Sequence, residues 1–139
     1  MTISVLIDTN IFIDVFGPEN PFSDWSVRAL AALRTEAQFV MSPVVWAELA
    51  GMAPCEEALA FLLSRFNLLR EALPFSAAYR AGLAHAQYRR NGGQRERTLP
   101  DFLIGAHAAV RSHRLMTRDA ARYRSYFPSL DIISPETHP

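Results

Sequence analysis

The chain has no lysine, a single cysteine (Cys55) and only six glycines among its 139 residues. One cysteine excludes a disulfide framework within the chain and a multi-cysteine zinc site. Long hydrophobic runs are also missing. The longest stretch free of charged residues, Ala37 to Ala47, has eleven residues, whereas a membrane-spanning helix needs about 20. No basic segment opens the chain and Asp8 interrupts its first apolar run, so no signal peptide is expected. The expectation is a cytoplasmic protein without a membrane partner. With 50% hydrophobic and 20% charged residues, the composition excludes a disordered chain. The length fits one domain over residues 1–139.

The net charge is zero, with 14 arginines against 14 acids, but its distribution is uneven. Residues 1–64 carry two arginines and eight acids, and residues 65–139 carry twelve arginines and six acids. Arg89, Arg90, Arg95 and Arg97 cluster around Gly92-Gly93. Such a cluster is ordinarily a solvated loop, but guanidinium forks also match phosphates, and this one lies shortly before Asp101.

Short apolar segments alternate with helical patterns. Ile3–Ile7, Gln38–Met41, Leu115–Thr117 and Leu130–Ser134 read as strands, and Leu68–Leu73 as a weak one. Helices are expected at Asn10–Phe16, Ser23–Ala37, Val44–Ala50, Pro54–Phe66, Ser76–Arg90, Pro100–His113 and Ala120–Tyr126. This order predicts an α/β fold with a parallel sheet covered by helices on both faces. Ligands of such sheets bind beyond the carboxyl ends of the strands.

That rule draws attention to four carboxylates. Asp8 follows the first strand and Asp119 follows the strand at 115–117. Asp101 lies in the first turn of a helix, and Glu48 has Val44, Val45, Gly51 and Met52 as its helical neighbours. Each has a bland role as a turn residue, a helix-end charge, a cap or a solvated edge. Together they suggest one acidic cluster, whose natural partner is a hard divalent cation, Mg²⁺ or Mn²⁺. Thr9 and Thr117, small hydroxyl residues beside those acids, could orient a carboxylate or a water behind the ligands.

Leu6-Ile7-Asp8-Thr9-Asn10-Ile11-Phe12-Ile13-Asp14 resembles the opening of PIN-domain nucleases. Trp46-Ala47-Glu48-Leu49, Leu99 to Ala108 around Asp101, and Leu115-Met116-Thr117-Arg118-Asp119 resemble their later acidic motifs, in order. The resemblance covers nearly the whole chain and extends to the VapC-like toxins of bacterial toxin–antitoxin pairs. It implies a PIN domain with a Rossmann-like parallel sheet and a Mg²⁺- or Mn²⁺-dependent endoribonuclease with Asp8, Glu48, Asp101 and Asp119 as the acidic quartet. Asp8 and Asp101 are then the expected direct metal ligands. It further implies a homodimer and a small antitoxin protein as partner. On this view Arg89, Arg90, Arg95, Arg97 and Arg118 are candidates for binding the RNA substrate. Ile11, Phe12, Phe16, Val44, Val45 and Trp46 are candidates to line an antitoxin groove, and neutralising Asp101 should leave the metal-free chain as stable or more so.

Other readings fit less well. A haloacid-dehalogenase-type phosphatase needs a second Asp two residues after the first, where this chain has Asn10, and a receiver domain needs a lysine. A non-catalytic nucleic-acid-binding domain would not need four acids. His107 falls about 240° around the helix from Asp101 and is expected to serve packing. Cys55 is expected to be structural, in the first turn of its helix.

Overall fold

The computed structural model describes residues 3–94 and 97–139; Arg95 lies outside the described residues. Five strands, β1 (Ile3–Ile7), β2 (Ala37–Met41), β3 (Leu69–Arg70), β4 (Arg114–Met116) and β5 (Ile132–Ile133), form a parallel sheet in the order β3-β2-β1-β4-β5. Helices α1 (Thr9–Phe16), α2 (Ser23–Leu33), α3 (Pro43–Leu49), α4 (Glu56–Leu63), α5 (Phe75–Arg90), α6 (Leu99–Val110) and α7 (Ala121–Arg124) connect them. The order steps one way from β1 to β3 and the other way from β4 to β5. Right-handed crossovers then send the two helix groups to opposite faces. The reversal falls between β1 and β4, which makes their carboxyl ends the switch point of the sheet.

The central strands are apolar because both of their faces are covered. Val5, Leu6, Ile7, Val40, Leu115 and Met116 are all completely buried. Their ladder runs on one residue past β1, where the Asp8 N–H donates to Met116 O at 2.9 Å. That bond sets Asp8 level with Thr117. Sequence-local signals start two of the helices. Ser42 caps α3 by accepting from the Val44 N–H at 3.2 Å, with Pro43 in the first turn. Thr98 and Asp101 form a reciprocal capping box at α6.

A second apolar cluster joins α5 to α6 through Ala77, Ala81, Tyr88, Phe102, Ala106 and Phe127. Gly105 on α6 makes room here. A Cβ on it would lie 2.6 Å from the Phe127 ring and 3.1 Å from Tyr123.

Several expectations need correction. Helix α2 stops at Leu33, and Ala37 already belongs to β2. Helix α4 begins at Glu56 with exposed Cys55 as its N-cap residue, so Pro54 stands outside the helix and Cys55 fills no interior position. Helix α6 ends at Val110, because Ser112 takes a left-handed backbone conformation (φ 58°) and turns the chain toward β4. His113 therefore leaves the helix. Of the expected groove residues, Ile11, Phe12 and Val45 are fully buried. They hold the core, whereas Phe16, Val44 and Trp46 pack against it partly exposed. Among the described residues, no helix is long and apolar enough to cross a membrane.

Candidate active site

Asp8 is the N-cap residue of α1, yet its side chain makes no capping bond. Its Oδ2 instead accepts two hydroxyl protons, from Thr117 Oγ1 and from Tyr123, each at 2.8 Å. The carboxylate is buried at the carboxyl end of β1. Burial is the largest influence on it and raises its pKa from 3.8 to about 6; the two hydroxyl donors work against that rise and the nearby charge of Asp101 adds to it. A buried acid held by two hydroxyls from beyond β4, besides the Thr9 backbone N–H, is arranged for more than starting its helix.

Thr117, the residue after β4, joins the elements. Its hydroxyl donates to Asp8 and accepts from Asn10 Nδ2 at 3.2 Å and from the Asp119 N–H at 3.1 Å. One proton given and two received fill its capacity. The Thr9 hydroxyl, one residue beyond Asp8, donates to Glu48 Oε1 at 2.6 Å and brings α3 to the site. Glu48 itself is exposed, so the carboxylate placed on an apolar helix face reaches both water and a hydroxyl donor.

Asp101 and Asp119 share a cation. Arg122 on α7 places Nη1 3.3 Å from Asp101 Oδ1 and Nε 3.1 Å from Asp119 Oδ2. The other oxygen of Asp101 accepts from the Thr98 N–H at 3.0 Å. The bland and the functional readings of Asp101 therefore coexist: one oxygen completes the capping box and the other faces the acidic network. All four carboxylates enter one connected set of contacts, but they do not collapse to a point. Among the described residues, no three of their oxygens lie within 4.8 Å of one another. Like charges spread in this way, and Arg122 stands between two of them.

The arginine candidates separate by position. Arg89 and Arg90 are exposed in the last turn of α5. Arg97 is built into the fold: it donates to Ser125 Oγ at 2.7 Å and stacks over Tyr88 and Tyr126. Arg118 lies over the Phe22 ring, with Nε 3.2 Å from the buried carboxylate of Asp14, which also accepts from Asn20 and Ser26. His107 is completely buried and holds Glu71, so it is more than a packing residue.

Sequence reasoning missed Tyr123 and Arg122. Both belong to a four-residue helix whose placement depends on the room that Gly105 leaves. The only sequence signal is their position shortly after Asp119.

A parallel α/β fold with carboxylates gathered at the switch point of its sheet defines a class of acidic-site domains. The model of the PIN domain matches residues 5–127, and the chain belongs to that family. No curated protein matches the chain. Among solved structures, the chain is similar to VapBC2 from Rickettsia felis, bound to a DNA fragment from its promoter, at 21% identity and a TM-score of 0.70, covering 95% of this chain and 98% of that one. It is similar to a toxin–antitoxin complex from Klebsiella pneumoniae at 25% identity and a TM-score of 0.66, over 94% and 97% of the two chains. VapC20 from Mycobacterium tuberculosis, a sarcin–ricin loop cleaving toxin, shares 14% identity with a TM-score of 0.55, over 79% and 85% of the two chains.

Proposed function

We propose that this protein is a Mg²⁺- or Mn²⁺-dependent endoribonuclease acting in the cytoplasm as the toxin of a toxin–antitoxin pair, with a small antitoxin protein as partner and a homodimer as its working form. The observation that carries the reading is the joining of Asp8, Glu48, Asp101 and Asp119 by Thr9, Thr117, Tyr123 and Arg122 at the carboxyl ends of β1 and β4. Membership of the PIN domain family and likeness to toxin–antitoxin complexes support it.

The residues fit a hard divalent cation. All four donors are carboxylates, the set Mg²⁺ and Mn²⁺ prefer, and a guanidinium already sits between two of them. Asp8 and Asp101 are assigned as direct ligands, with Glu48 and Asp119 acting through waters or at a second position. When bound, the ion supplies positive charge for the phosphodiester and lowers the pKa of an attacking water. The protein's own part is to hold the acids. Thr117 and Tyr123 fix Oδ2 of the Asp8 carboxylate, and Thr9 orients Glu48.

Induced expression of the chain should arrest growth, and its purified form should cut RNA only with Mg²⁺ or Mn²⁺ present. Co-expressing the small protein encoded beside it should relieve the arrest. Normal growth at confirmed high levels of the folded chain, with no RNA cleavage in vitro, would reject the reading.

Arg89 and Arg90 are the arginines proposed to meet the RNA backbone. Replacing both with Ala should lower the log–log salt slope of RNA binding by about 0.7 for each phosphate that the variant no longer neutralises. The proper control is Arg97→Ala, which removes a bond to Ser125 and stacking on two tyrosine rings and is expected to lower the melting temperature. An unchanged slope in the double variant would remove Arg89 and Arg90 from the interface.

A further inference from the structure

Away from the acidic network, three side chains from distant parts of the chain converge. Glu71 follows β3, His107 lies on α6, and His113 precedes β4. Glu71 Oε1 is 2.8 Å from His107 Nε2 and 2.7 Å from His113 Nε2, and one ligand atom from each residue lies within 4.8 Å of the others. Both histidines are buried, and the Glu71 side chain is 15% exposed, which leaves the group open on one side.

We propose that Glu71, His107 and His113 form a binding site for a borderline transition-metal ion of the Zn²⁺ type, separate from the carboxylates of the active site. Two imidazole nitrogens and one carboxylate oxygen with an open fourth position are a known zinc donor set, whereas Mg²⁺ prefers oxygen ligands alone.

The three donors start close to the separations an ion needs. A tetrahedral ion about 2.0–2.1 Å from each donor separates its ligands by about 3.3 Å, so Glu71 Oε1, now 2.8 and 2.7 Å from the two nitrogens, must withdraw from each by about half an ångström, while the ligand atoms of the three residues already lie within 4.8 Å of one another. The ion would replace the protons that both imidazoles present to Glu71, and each neutral ring would then carry its one proton on Nδ1.

Protonation states already suit a metal. Burial pushes the Glu71 carboxyl up, but the bonds from His113, His107 and Arg111 outweigh it and hold it at about 2. Burial lowers the His107 imidazole and favours its neutral form. Glu71 is therefore a carboxylate and His107 favours the neutral ring, whose Nε2 becomes a ligand when it gives up the proton it presents to Glu71.

The surroundings are half built for the purpose. Ser4 Oγ lies 2.6 Å from His113 Nδ1 and supplies the outer partner that orients a ligating histidine. His107 Nδ1 is buried with no hydrogen-bond partner, and lack of such a partner weakens metal binding by roughly 10–100-fold. Arg111 Nε is 3.4 Å from Glu71 Oε1, but its side chain is 53% exposed and can turn into water when a cation arrives. An ion here would tie α6 to the segments that follow β3 and precede β4.

Zn²⁺ and Co²⁺ titrations of the full chain test this. One equivalent of Zn²⁺ should be retained after desalting and should raise the melting temperature by roughly 5–10 °C at a hundredfold excess over Kd. Co²⁺ should give visible d–d bands that saturate at one equivalent, vanish in Glu71→Gln and His113→Gln, and persist in Asp101→Asn. X-ray absorption on the zinc-loaded wild type, which needs no variant, should show two imidazoles in the shell. No uptake, an all-oxygen shell, or bands that vanish in Asp101→Asn and persist in His113→Gln would overturn the proposal.

Discussion

Asp101→Asn should reduce RNA cleavage at least about 100-fold, since removing even a residue behind a metal ligand costs 10–100-fold and the proposed role of Asp101 is direct. The substitution nearly keeps the shape and removes one charge. The sequence alone predicts a metal-free variant as stable as the wild type or more so, through relief of repulsion among the acids. The structure reverses that sign. Asp101 accepts the Thr98 N–H in the capping box and meets Arg122, and the substitution weakens both contacts. The Arg122 side chain is 35% exposed, so the ion pair is discounted for solvent screening. A loss of about 1 kcal/mol without metal is expected, mostly from the cap. Stabilisation by Mn²⁺ should shrink in the variant. Cleavage rates with Mg²⁺, beside paired melting curves with and without Mn²⁺, give the comparison. A variant that still cuts RNA within a fewfold of wild type would leave Asp101 as a helix cap alone.

The parts of this site that can be read from the sequence are those fixed by local position. Asp8 follows the apolar, β-branched run Ile3–Ile7 and Asp119 follows the short apolar segment Leu115–Thr117; both segments read as strands, and strand ends in a parallel sheet are where ligands bind. Asp101 stands three residues after Thr98, in a pattern that starts a helix regardless of its surroundings. What escapes depends on how elements lie across one another. Tyr123 reaches Asp8 from 115 positions away, and nothing near Tyr123 in the sequence records that reach. The sequence places His113 at the end of a helix because Arg111 and Ser112 look compatible with one. A left-handed Ser112 carries no local signal of the kind a glycine gives. Its turn is what releases His113 to face Glu71. In the same way, Ile11, Phe12 and Val45 can be recognised as apolar but not as the interior side of their helices, because short helices following buried strands are covered by the elements that come after them.

Asp8→Asn should stabilise the metal-free protein at pH 8 by up to about 3 kcal/mol, with the gain disappearing as the pH falls toward 4. The folded state raises the pKa of Asp8 from 3.8 to about 6, with burial as the main cause. Between those values the folded chain holds a proton that the unfolded chain has released. The contribution of Asp8 to stability is therefore fully present below about pH 4 and is lost as the pH rises through about 6. Asparagine stays neutral throughout. Its amide oxygen can still accept from Thr117 and Tyr123, so the hydroxyl contacts survive while the cost of a buried charge does not. Mg²⁺ should close the gap at pH 8 by stabilising the wild type and leaving the variant unmoved. Cleavage should be lost in the variant at every pH. Denaturant unfolding of both proteins across pH 4–8, with and without Mg²⁺, gives the difference directly. A gap that does not change with pH, or a wild type more stable than the variant at pH 8 without metal, would show that the charge on Asp8 is already compensated by its own neighbours and does not need an ion.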